Sequence, residues 1–119
     1  MLLSLASERS SGIGHRSNLE QRVSRWMRAS GLTGWHRNYK VDVGAGIRIE
    51  VDFGWPDQKI ALEVSPFFTH GSRATQERDA ERRRLLVSAG WRIIEAVDAD
   101  LLNARSFARV LAILRSLVD

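Results

Sequence analysis

Apolar positions recur at helical spacing in some stretches of the chain and alternate with polar ones in others. In "SNLEQRVSRWMRAS", Leu19, Val23, Trp26 and Met27 fall three or four residues apart, with Arg22, Arg25 and Arg28 on the other side. That spacing predicts an amphipathic helix, which Gly31 stops. "HRNYKVDV" reads as a short strand and "GAG" as a turn. Next, Ile47, Ile49, Val51 and Phe53 alternate with Arg48, Glu50 and Asp52, and Ile60, Leu62 and Val64 alternate with Ala61, Glu63 and Ser65. Period two marks both runs as strands. "THGSRATQERDAERRRLLVSAG" holds a loop and a second helix, capped by Ser72 and stopped at Gly90. "WRIIEAV" is a further strand, and Phe107, Val110, Leu111, Leu114 and Leu117 mark a closing amphipathic helix. The predicted order is αβββαβα, an α/β fold whose mixed sheet is flanked by helices. Residues 1–16, Ser- and Gly-bearing and without a sustained period, read as a flexible amino-terminal arm, and 17–119 as a single domain.

Two carboxylates interrupt the most core-like runs. Folding the two strands about Pro56 and Asp57 sets Phe53 opposite Ile60, Asp52 opposite Ala61 and Glu63 opposite Glu50, so that Asp52 and Glu63 are diagonal neighbours on one face. Converging carboxylates repel, and need a cation, a shared proton or water. Magnesium, which takes hard oxygen ligands, suits the pair, although for an isolated pair a hairpin with a wet polar face is the simpler account. His70 follows the second strand closely and is a candidate acid or base near neutral pH. Asp79 suits an ion pair with Arg82 or Arg83 at helical spacing, and Glu20 completes a Ser-x-x-Glu capping box with Ser17.

The chain has 119 residues, 44% hydrophobic and 27% charged, the size and balance of one soluble domain. No apolar run reaches the ~20 residues of a membrane span and no convincing signal peptide opens the chain, so the expectation is cytoplasmic with no membrane partner. With no cysteine, any metal must be held by oxygen or His. Sixteen of the eighteen basic residues are Arg, whose planar fork matches phosphate oxygens, although solvated helix faces with ion pairs give the same count. Arg22, Arg25, Arg82 and Arg83 are the candidate contacts to a nucleic-acid backbone. Of the four Trp, Trp26 and Trp91 sit at core positions by period, Trp55 flanks the turn and Trp35 lies in a loop.

The ordered series "SNLE", "VDFGWPDQKIALEV", "FFTHG" and "ERDAERRRLLVSAGWRI" resembles the Vsr-like (very short patch repair) endonucleases of the PD-(D/E)xK, or restriction-endonuclease-like, superfamily. It is closest to the domain-of-unknown-function family 559. The resemblance runs from about Ser17 to the last helix and implies the restriction-endonuclease-like αβββαβα core. It implies a magnesium-dependent DNA endonuclease, with manganese as a substitute. The site would comprise Glu20, Asp52, His70 and Asp79, joined by Glu63 and the main-chain carbonyl of Val64, with Asp52, Glu63 and Val64 at the metal. Ser65 and Pro66 depart from the pattern, since relatives carry Asp-Gly there and the wider superfamily Lys at position 65. The competing expectations are a nucleic-acid-binding or interaction module with a silent site, and a ribonuclease toxin. The Vsr pattern favours a monomer; the short length also allows an upstream or partner domain.

Overall fold

The protein is described here by a computed structural model covering residues 18–65 and 72–119. Helix α1 (residues 18–29) leads into strands β1 (His36–Gly44), β2 (Ile47–Trp55) and β3 (Ile60–Val64); α2 (Arg73–Ser88), β4 (Arg92–Ala96) and α3 (Ala104–Val118) follow. The expected αβββαβα order is what the chain adopts. The sheet runs β1-β2-β3-β4, with β1, β2 and β3 successively antiparallel and β4 parallel to β3. The parallel step requires a crossover, and α2 supplies it.

Local chemistry sets the ends of these elements. Ser72 accepts the Thr75 N–H and caps α2, Asn103 accepts the Ser106 N–H and caps α3, and Gly31 and Gly90 take positive φ where α1 and α2 stop. Between β2 and β3 the connection is not a tight turn centred on Pro56 and Asp57. All of residues 56–59 form the loop, Lys59 at its end has φ +58°, and Trp55 pairs with Ile60. Trp55 is almost wholly buried and its indole N–H donates to Thr33 O at 2.9 Å, so burial of this side chain holds it in the ladder rather than the turn. Phe53 therefore faces Leu62, not Ile60. The whole register moves by two residues from the sequence expectation, and neither Asp52 with Ala61 nor Glu63 with Glu50 is a pair.

Two apolar clusters cover the sheet. Leu19, Val23 and Met27 of α1 and Phe107, Val110 and Leu114 of α3 pack with Phe53, Trp55, Ile60, Leu62 and Val64. Leu86 of α2 packs instead with Val41, Val51, Ala61 and Trp91. Val51 and Phe53 have the same parity on β2 yet belong to different clusters, so the strand changes face between them. The partner strand shows the cause: Arg37 pairs with Phe53 and Tyr39 with Val51, while Asn38 between them has φ +51°. Asp52 is the residue at this kink.

Close packing on the α2 side leaves no room at Gly54, where an added Cβ would lie 3.0 Å from Cβ of Tyr39. Tyr39 in turn stacks on Trp91 with ring centroids 5.8 Å apart. Gly54→Ala is expected to destabilise by about 1–3 kcal/mol, as an overpacked core does. A lowered urea midpoint together with a changed near-ultraviolet aromatic signal would establish it.

Candidate functional site

The kink at Asp52 creates a problem in hydrogen bonding. The β2–β3 pairing runs from Trp55–Ile60 to Phe53–Leu62, and beyond it the buried N–H groups of Asp52 and Val64 turn to carboxylates, since a buried N–H left unpaired is costly. The two acids solve it reciprocally. Asp52 N–H donates to Glu63 Oε2 at 3.2 Å, and Val64 N–H donates to Asp52 Oδ2 at 2.8 Å. One further step of the register places Asp52 directly across from Glu63. Both carboxylates are buried, Asp52 with 9% and Glu63 with 6% of its surface exposed.

The helix α2 supplies the counter-charge. Arg82 forms an ion pair with Glu63 Oε1 and also donates to Glu50 O. Burial pushes the Glu63 carboxyl up to about 7 from its ordinary 4.5, the Asp52 charge adds to the rise, and Arg82 opposes it. One residue along, Arg83 pairs at 2.9 Å with Glu95, the β4 residue beside Glu63 in the parallel ladder. Asp52, Glu63 and Glu95 thus form a row of acids across three strands, with two arginines of α2 against it.

The other residues singled out in the sequence are distributed around this pair. Glu20 is buried on α1 and pairs with Arg37 of β1 at 2.9 Å, tying helix to sheet. Asp79 is half-buried on α2 and is not the ion-pair partner of Arg82 or Arg83, which turn to Glu63 and Glu95 instead. Val64 approaches Asp52 through its N–H, and Ser65 N–H continues the ladder to Ala96 O at 2.8 Å. Arg22 lies over Trp26 and donates to Leu102 O, whereas Arg25 is exposed. Ser17, Pro66 and His70 lie outside the described residues.

Sequence reasoning missed the roles of Glu95, Arg82 and Arg37. Glu95 carried a signal, an acid in the middle of "RIIEA" as Glu63 is in "IALEV". The partners of Arg82 and Arg37 had none, because they depend on where a helix lands on the sheet.

A hard cation suits the pair in chemistry: two carboxylates meet, each with one oxygen fixed by a backbone N–H. Among the described residues no three His, Asp or Glu converge as a metal site, so water and substrate oxygens would complete the coordination. No helix among the described residues is long and apolar enough to cross a membrane. Comparison with protein-family models, with curated proteins and with solved structures finds no match to the chain.

Proposed function

We propose that the chain is a magnesium-dependent DNA endonuclease that hydrolyses phosphodiester bonds at the Asp52–Glu63 pair. The single observation that carries the reading is the burial of two directly opposed carboxylates with their orientation fixed by backbone donors. A carboxyl that burial and a neighbouring charge hold near neutrality is frequent at functional sites and uncommon on a wet polar face. Magnesium, when bound, would neutralise phosphate charge and acidify water at the reacting centre.

The remaining work falls to side chains of the chain. Asp52 and Glu63 would hold the cation, and the Val64 N–H fixes the orientation of the Asp52 carboxylate. His70, named from the sequence, is the candidate to take a proton from water or return one to the leaving oxygen. Glu20 and Asp79 are candidate orienting groups. Arg25, exposed on α1, is the clearest of the four predicted backbone contacts, and would make binding salt-dependent.

A second reading, a nucleic-acid-binding module with a silent site, draws on Ser65, which offers no ammonium, and on Arg82, which already neutralises Glu63. One assay separates the two. Supercoiled plasmid and labelled single-stranded DNA and RNA are incubated with the protein in magnesium, in manganese and in chelator. The expected result is cutting of DNA that chelator abolishes. Binding without cutting supports the silent module, and cutting confined to RNA supports the ribonuclease.

A further inference from the structure

We infer that Arg82 is a built-in competitor of the cation: its guanidinium holds Glu63 in the cation-free protein and is released from it when a divalent ion enters the pair. The inference rests on the metal-dependent reading above and adds to it a residue that sets cation affinity.

Glu63 Oε2 is committed to the Asp52 N–H and Asp52 Oδ2 to the Val64 N–H. The Glu63 oxygen that the backbone leaves over is Oε1, and Arg82 faces it. Having no backbone donor, that oxygen is the better placed of the two to take a cation, and two cations against one carboxylate oxygen repel strongly in a buried setting. Occupation by one therefore weakens the other.

Arg82 is also built to leave. Its side chain is 34% exposed, against 7% for that of Glu63, so the guanidinium has solvent to turn into. Its second contact is the neutral carbonyl of Glu50, which lies outside the charged pair and can retain the guanidinium nearby after Glu63 is given up. Arg83 differs, because Glu95 is its partner and the Asp52–Glu63 pair is untouched by it. Arg37 likewise serves Glu20. Among these three arginines, Arg82 is the one that would share a carboxylate of the pair with a cation.

The test uses the full chain without nucleic acid. Manganese is titrated calorimetrically into the native protein, Arg82→Gln and Arg82→Lys. Removing the competing charge-assisted contact is expected to tighten manganese binding in Arg82→Gln by roughly ten- to hundredfold, while Arg82→Lys stays near the native affinity. Unchanged or weaker binding in Arg82→Gln overturns the competitor while leaving the pair as a cation site. Absence of manganese binding in all three folded proteins overturns both. Should Arg82→Gln not fold, the guanidinium nitrogen resonances of Arg82 in the native chain decide the matter. They are expected to be held and shifted without magnesium and to average like those of exposed arginines at saturation; a held signal at saturation overturns the proposal.

Discussion

Asp52→Asn is expected to reduce metal-dependent cleavage roughly a hundred- to thousandfold, the usual cost of removing one charge-stabilising group from a reacting centre. It should leave the fold intact. The structural duty of Asp52 is to accept the Val64 N–H through Oδ2, and an amide oxygen accepts that bond as well. Metal is what an amide serves poorly, since magnesium prefers anionic oxygen. Kinetics on plasmid and a urea melt on the same preparation separate the two duties. Cleavage that survives in Asp52→Asn would remove this residue from the chemistry. A collapse of stability together with activity would make the carboxylate a structural group.

The second large effect is a dependence of stability on pH that traces to Glu63. Its carboxyl is raised in the folded protein to about 7 from 4.5, first by burial and then by Asp52. Between those values the folded state holds a proton that the unfolded state has lost. Stability from this group is therefore complete below pH 4.5 and is lost as pH rises through about 7. The interval, at about 1.4 kcal/mol per pH unit, bounds the loss at about 3 kcal/mol. Glu63→Gln does not titrate. Compared by thermal melts in chelator, it should gain on the native protein from pH 4.5 to about pH 7 and level off above that, with magnesium restoring part of the native stability at the alkaline end, since a cation favours the ionised carboxylate. A gap independent of pH would show that Glu63 titrates alike in the folded and unfolded states.

Much of the architecture was legible before any coordinates. Helical spacing at Leu19, Val23 and Met27, the Ser72 cap, the Gly90 stop and the stripe Phe107–Val110–Leu114 each rest on contacts within a few residues, and each is found in the fold. The β2–β3 register was not legible, because Pro56–Asp57 reads as the apex of a turn until burial of Trp55 draws it into the ladder. Trp55 flanks the loop as expected and is at the same time a core residue. The pairing of Asp52 with Glu63 was foreseen as proximity but not as direct opposition. That closer geometry depends on Lys59 at positive φ and on the kink shared by Asn38 and Asp52, neither of which leaves a periodic trace. The ion pairs of Arg82, Arg83 and Arg37 were illegible for a different reason. All join elements distant in sequence, and "ERRR" offers no rule for which arginine meets which acid.

The reciprocal bonds at the end of the β2–β3 ladder have a consequence for how this site would decay. The fold asks of positions 52 and 63 an oxygen that accepts a backbone N–H, and chemistry asks in addition for charge. Asn and Gln meet the first demand. At position 52 a descendant freed from selection for cleavage could drift to the amide and keep its bond to Val64, whereas at 63 the Arg82 ion pair also asks for charge, so a carboxylate retained at 52 is the one that testifies to use.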